Sequence, residues 1–402
     1  MNIQNKNTYI TLSDINGSIL SYKIDGIEFM APGAEKRPLF ILKLLKEDGS
    51  PEYCKATDAE AMAAESSGDG YILKFHNLRG MNIDATVFVN PHADGSVGWK
   101  MSAQNDSGLI LESMELPCIT GPDALKAAGG DYQLFWPGLE GLIIEDAGLR
   151  DKTWIEYHEL GIQSGTFSGF YPGSCTMQFM AYYNGSHGLY LASHDPNHQP
   201  KAVEYHLEED GIRLEQRLFC GGATGGFAMD YEVVTAAFTG DWHDAAEIYR
   251  TWMEENTALP KKLCENDALP DWLNKSPIVT IYPIRGTRDT GDMTPNMYYP
   301  YKNVLPYIDE ISEKTDSTLM ALPMHWEGTA PWAPPYVWPP FGGEEQFCDF
   351  VSALHEKGHL AGVYCSGIAW TTKSCLVPEL DYSDKYDDML ICCTPQGTHE
   401  QS

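Results

Sequence analysis

The chain has 402 residues, and 57 acidic against 27 basic side chains give it a net charge of −30. That length suits two or three domains, and a hydrophobic share of 43% with 11% aromatic residues is ample for packed cores rather than a disordered chain. Such acidity repels nucleic acid and anionic membranes, and no apolar run approaches the roughly 18 residues of a membrane span, so both are excluded as partners.

The acidity is spread along the chain without an acidic tail and reads as a solvated surface. Ten cysteines include no C-x-x-C pair. The N-terminus, Met1 to Asn7, has no apolar segment of the kind that directs secretion. Free buried thiols in a reducing compartment are favoured over a disulfide framework, which points to the cytoplasm.

From about residue 8 to 239, short alternating runs are separated by turn residues. Ile19–Ile24 is followed by Asp25-Gly26 and Ile27–Phe29. Met177–Tyr183 is followed by Asn184-Gly185 and Leu189–Leu191. Val203–Leu207 is followed by Asp210-Gly211 and Ile212–Leu214. Asp-Gly and Asn-Gly between alternating runs mark hairpins, because both turn positions take positive φ. Tyr71–Phe75, Ile83–Val89, Val97–Ala103, Leu109–Leu116 and Tyr231–Phe238 are further predicted strands. Many strands over more than 200 residues predict a large antiparallel β-sandwich in residues 1–239.

The rhythm changes at Gly240. Trp242, Ala245, Ala246, Tyr249, Trp252 and Met253 fall on one helical face, with Asp241 as N-cap. Residues 240–276 read as a connecting helix and linker. From 277 to 402 the order becomes β-α-β-α-β. Its strands are Ile278–Tyr282, Thr318–Leu322 and Leu360–Tyr364. One helix carries Val304, Leu305, Ile308 and Ile311, the other Phe347, Phe350, Val351 and Leu354. This is the signature of a parallel sheet. A complete TIM (β/α)8 barrel takes about 250 residues. The expectation is therefore an incomplete TIM barrel, cut before strand four, in a chain that is a fragment.

Two motifs invite readings that the residues do not support. His355-Glu356-Lys357-Gly358-His359 matches the H-E-x-x-H zinc-protease pattern, which needs both histidines on one helical face. Gly358 sits where the helix should end, so His359 is expected in the following strand, and no metal is expected. A zinc metalloprotease acting through His355, Glu356 and His359 is the least favoured alternative. Gly221–Gly226 is glycine-rich but leads into a strand, so no helix N-terminus awaits a phosphate and no cofactor is implied.

Side chains that suit a sugar gather where the second and third parallel strands end. These are His325, Trp326 and Glu327, then Tyr364 and Trp370. In a parallel barrel the active site lies at the C-terminal strand ends. Aromatic rings stack on pyranose faces, while imidazole and carboxylate groups hydrogen-bond hydroxyls. The stiff aromatic stretch Pro331–Phe341 lies between these strands, and Tyr282 and Arg285 follow the first. Packing at a domain interface is the alternative use of such aromatics.

Further segments are Phe135-Trp136-Pro137-Gly138, Tyr171-Pro172-Gly173, Met177–Ala181, Gly188–Pro196 and Gly240-Asp241-Trp242 with Tyr249–Trp252. With His325-Trp326-Glu327 and Tyr364–Gly367, their order resembles the DUF6259 family of glycoside-hydrolase-like proteins. That family is similar in layout to endo-α-N-acetylgalactosaminidases and α-galactosidases. The resemblance implies a galactose-mutarotase-like supersandwich ahead of a TIM barrel. It implies a retaining glycoside hydrolase acting on α-linked galactose-type glycans, with substrate-binding roles for His325, Trp326, Glu327, Tyr364 and Trp370. In related retaining enzymes the nucleophile is an Asp at the end of strand four. Asp387 and Asp388 lie on the wrong side of their apolar run, so both catalytic carboxylates are expected beyond residue 402. The fragment itself is then expected to be inactive. A non-catalytic carbohydrate-binding protein is the rival reading.

Overall fold

The computed structural model describes residues 1–122, 132–138, 141–145, 162–163, 166–208, 211–274, 277–287, 293–328, 337–364, 379, 381–386, 392–393 and 399–400. The chain divides into two compact units, Met1–Leu259 and Pro260–Ser402. Among the described residues of the first, a ten-stranded sheet runs from Leu142–Glu145 through Gln133–Trp136, Phe179–Tyr183, Gly185–His194, Glu232–Gly240, Val97–Asn105, Ile83–Pro91 and Gly70–His76 to Ala61–Ser67, with Phe227–Ala228 also paired to Val97–Asn105. An eight-stranded sheet runs from Ile162–Gln163 through Thr166–Tyr171, Lys201–Glu208, Gly211–Ala223, Ile110–Glu115 and Ile41–Leu45 to Pro51–Lys55, with Ile119–Gly121 also paired to Gly211–Ala223. All their pairings are antiparallel, and a four-stranded sheet, Asn2–Asn5 to Ile27–Glu28, precedes them.

Alternation explains the layering. Along Ile83–Pro91 buried and more open residues alternate, as a half-buried strand requires. Leu73, Val87, Trp99 and Leu191 from the larger sheet join Leu42, Met114, Val203 and Leu214 from the smaller in one hydrophobic cluster. The Asp25-Gly26 turn has both residues at positive φ, as its sequence demands. The Asn184-Gly185 turn differs. Only Gly185 takes positive φ, and the Asn184 side chain accepts the Ser186 and His187 N–H groups. A register shift follows before Gly188. Residue 210 of the third predicted turn lies outside the described residues. The six cysteines with described side chains are free thiols, and burial pushes those of Cys118, Cys175 and Cys220 up to about 12.

Not every acidic residue belongs to a solvated surface. Glu115, Glu204 and Glu215 are buried on one face of the smaller sheet. Arg217 holds Glu204 through two bonds of 2.8 and 2.7 Å, and Arg213 bonds Glu115, Glu208 and Glu215. Strand alternation cannot separate a charged face that meets water from one that pairs with itself.

The connecting helix, Trp242–Asn256, starts at a capping box, with Asp241 accepting the His243 N–H and Asp244 accepting the Asp241 N–H. Its Ala245 and Tyr249 pack on Phe179, Tyr190 and Phe238 of the larger sheet. Nearby, His194 stacks on Trp252 at 4.5 Å, and burial pushes its imidazole from 6.5 down to about 4. The folded chain therefore binds fewer protons than the unfolded chain between those pH values. This contribution is complete above pH 6.5 and is lost as pH falls through about 4. It amounts to about 2–3 kcal/mol. Urea unfolding at pH 7 and pH 4 checks this: His194→Gln should lose less stability on acidification than the unaltered chain.

In the second unit, Ile278–Pro283, Leu319–Met324 and Leu360–Ala361 form a parallel sheet in that order. The helices Leu305–Thr315 and Glu344–Glu356 separate them, as the apolar spacing predicts. The third strand is shorter than the predicted Leu360–Tyr364. Pro323 on its neighbour has no N–H to offer, so the ladder stops after Ala321↔Ala361. Ile308, Phe350 and Leu354 of the helices pack with Leu319 and Ala321. On the alternate positions, Val279 is 49% and Ile281 57% exposed. Parallel strands are normally covered on both faces. The pair Val279→Thr and Ile281→Thr should cut binding of a hydrophobic dye while leaving the melting temperature near its starting value, since both new residues favour strands.

Candidate functional site

The site is built from backbone register. The first and second strands pair Tyr282 with Pro323 and Pro283 with Met324. The residues after them, Ile284-Arg285 and His325-Trp326-Glu327, therefore emerge side by side. Arg285 is 5% exposed. Its Nε donates to the His325 carbonyl at 2.8 Å and its Nη2 to the Glu327 carbonyl at 2.6 Å. In return His325 Nδ1 lies 2.8 Å from the Arg285 carbonyl, which accepts. The guanidinium also lies 4.3 Å from the centre of the Phe341 ring. Burial pulls the Arg285 pKa down, and the Glu327 carboxylate pulls it back up. This reciprocal clamp holds His325 at φ 58, a left-handed conformation that side chains usually avoid.

The segment 337–341 closes over the same turn. Gly328 N–H donates to the Val337 and Pro339 carbonyls, and Phe341 N–H donates to the Trp326 carbonyl at 2.6 Å. A Cβ on Gly328 would stand 2.2 Å from the Pro339 oxygen, so only glycine fits there. Tyr301 donates its hydroxyl to the Phe341 carbonyl at 2.9 Å. Trp326 is buried, stacks on Phe347, and donates Nε1–H to the Tyr364 carbonyl at 2.8 Å.

His325, Trp326, Glu327 and Tyr364 are thus brought together, and Trp370 lies outside the described residues. His325 and Glu327 are fully buried, while Tyr364 is 43% and Trp338 51% exposed. Asp387 and Asp388 also lie outside the described residues. Two contributions carry no sequence signal. Tyr301 reads only as a helix-start aromatic, and Asn296, whose side chain donates to the Pro283 and Gly286 carbonyls, reads as an ordinary turn residue.

The H-E-x-x-H residues are kept apart. His355 and Glu356 end the helix Glu344–Glu356, and Gly358 takes φ 76. His359 lies beyond, with Nδ1 accepting the Leu319 N–H at 3.3 Å. Among the described residues, two other groups have metal-ligand spacing, Glu115/Cys118/Glu215 and Glu204/His206/Glu215. Arg213 and Arg217 already neutralise their carboxylates. A cavity of about 740 Å³ lies elsewhere, in the first unit, lined by His92, His194, Glu232 and Trp252. No helix among the described residues is long and apolar enough to cross a membrane.

Residues 227–379 match the family described as "Domain of unknown function (DUF6259)". The sequence resemblance, followed from about residue 130, is thus found again over its C-terminal part. No curated protein matches in sequence. Among solved structures, the α-N-acetylgalactosaminidase NagBb of Bifidobacterium bifidum is similar in fold. Its quadruple mutant aligns with a TM-score of 0.65 at 14% identity, covering 99% of this chain and 63% of that one. Its GalNAc complex gives 0.63 at 14%, covering 92% and 61%. Its Gal-NHAc-DNJ complex gives 0.62 at 15%, covering 90% and 58%. The chain therefore spans about three-fifths of the length of these structures.

Proposed function

We propose that this chain, which matches the DUF6259 domain over residues 227–379, is part of a retaining glycoside hydrolase acting on α-linked galactose-type glycans. Residues 1–239 would form a galactose-mutarotase-like supersandwich, 240–276 a connector, and 277–402 the first part of a TIM barrel. The observation that carries this reading is the clamped turn His325-Trp326-Glu327. It places an imidazole, an indole and a carboxylate at the C-terminal ends of parallel strands, where barrel enzymes bind substrate. The exposed apolar positions Val279 and Ile281 support further barrel strands, because the lumen of a complete barrel is packed with such side chains.

Retention needs two carboxyls about 5–5.5 Å apart. In this reading Glu327 binds substrate, and both catalytic carboxylates belong to later strands. The test is turnover of aryl α-galactosides and aryl α-N-acetylgalactosaminides by a protein extended past residue 402 in its own reading frame. Release of aglycone with net retention supports the proposal. Glycan binding without turnover across a broad panel supports a carbohydrate-binding protein instead.

A further inference from the structure

We propose that Asn184 is a self-modification site, converting to aspartate and isoaspartate in the folded chain, and that the fold protects the same tripeptide at Asn16. Asn-Gly-Ser occurs at residues 16–18 and again at 184–186, so the local chemistry is shared and the structure separates the two. In the reaction the glycine nitrogen bonds to the asparagine side-chain carbon. The side-chain amide takes the proton from that nitrogen and leaves as ammonia. Water then opens the cyclic imide at one carbonyl or the other, giving aspartate or isoaspartate. Glycine favours the ring closure because it has no Cβ to obstruct the approach.

In both copies the serine N–H donates to the asparagine Oδ1. That bond closes a ring containing Cγ and the glycine nitrogen, so one turn holds both reacting atoms. Two features then favour Asn184. Its Oδ1 accepts a second donor, the His187 N–H at 2.9 Å, beside the Ser186 N–H at 3.1 Å. Negative charge grows on this oxygen as the nitrogen adds, and donors aimed at a developing oxyanion lower the barrier. Gly185 and Ser186 are also exposed, so water reaches the imide. At Asn16 the leaving group is engaged, with Nδ2 donating to the Glu35 carbonyl at 3.2 Å. The Gly17 N–H donates to the Ser13 carbonyl at 3.1 Å, which holds the attacking nitrogen in its turn. Gly17 and Ser18 are buried, and a Cβ on Gly17 would stand 2.8 Å from the Phe75 ring, so the chain there has little room to close an imide. Gly185 pairs with Gly240, so the new carboxylate at residue 184 appears next to Asp241, the cap of the connecting helix.

The test incubates the whole chain at mildly alkaline pH, folded and in urea, and maps peptides from timed samples by mass spectrometry. Endoproteinase Asp-N cuts before aspartate and not before isoaspartate, which separates the two products. In the folded chain Asn184 should convert about tenfold faster than Asn16, a barrier difference of about 1.4 kcal/mol. In urea the two rates should converge, because the tripeptides match. Asn184→Gln should remove conversion at that position and leave the Asn16 rate unchanged. Equal rates at the two sites in the folded chain, a faster Asn16, or a difference that persists in urea overturns the proposal. So does an Asn184 that stays intact in the folded chain over the time in which the unfolded chain converts.

Discussion

Lys201→Met should destabilise the first unit by about 3–5 kcal/mol, the cost of leaving one charge of a buried pair alone. The Lys201 and Asp195 side chains are both 0% exposed, and Lys201 Nζ lies 2.8 Å from Asp195 Oδ2. The ammonium also donates to Gln178 Oε1 at 2.8 Å and to the Gln199 carbonyl at 2.5 Å. Tyr171 and Tyr231 flank it, with ring centres 5.0 and 5.1 Å away. Gln178 in turn donates to the Tyr249 hydroxyl of the connecting helix at 3.3 Å. One cation therefore ties together two sheets and the helix. Methionine fills a similar volume but leaves the Asp195 carboxylate and the Gln178 amide oxygen without their donor. Urea unfolding at pH 7 reads the loss. The double variant Lys201→Met with Asp195→Asn should recover part of it, because no lone charge then remains buried. A single variant as stable as the unaltered chain would show that the pair contributes no net stability.

Arg285→Met should have the second-largest effect, and it should appear in the second unit. The substitution removes both donors that hold the His325 and Glu327 carbonyls. A buried acceptor left without its donor costs about 1–3 kcal/mol, so about 2–6 kcal/mol bounds the two, and relaxation brings the expected loss to the lower half of that range. His325 would no longer be held at φ 58, and the turn that seats His325 and Glu327 would relax. Arg285→Lys should rescue little, because an ammonium cannot reproduce the planar fork or its contact with Phe341. Glycoside affinity should fall more than tenfold in both variants. Retained affinity would separate the clamp from the site.

Much of this architecture is legible in the residues, and the reasons differ by element. Asp241 and Asp244 announce the connecting helix because a capping box is local chemistry. The Asp25-Gly26 turn is legible for the same reason, since two positive φ values are written into two residues. The two inter-strand helices follow from Ile308 and from Phe350 and Leu354, whose spacing leaves one face apolar. The clamp is less legible. Arg285 and His325 are 40 residues apart, and nothing local to either says that each binds the other's carbonyl; parallel register alone brings them together. The buried charges of the smaller sheet escape for a related reason. Glu204, Glu215, Arg213 and Arg217 alternate as an exposed strand face does, and only the neighbouring strands show that they satisfy one another. The third parallel strand is overestimated because Leu360–Tyr364 suits a strand by itself, while the limit is set by Pro323 on its neighbour.

The central claim is that a glycan binds at the clamped turn of the second unit. Amide hydrogen exchange with and without saturating methyl α-galactoside or methyl α-N-acetylgalactosaminide tests it most directly. Protection is expected at residues 284–287, 325–328 and 337–341, with the first unit unchanged. Protection confined to the cavity around His92, His194 and Trp252, or no protection with either sugar, would contradict it.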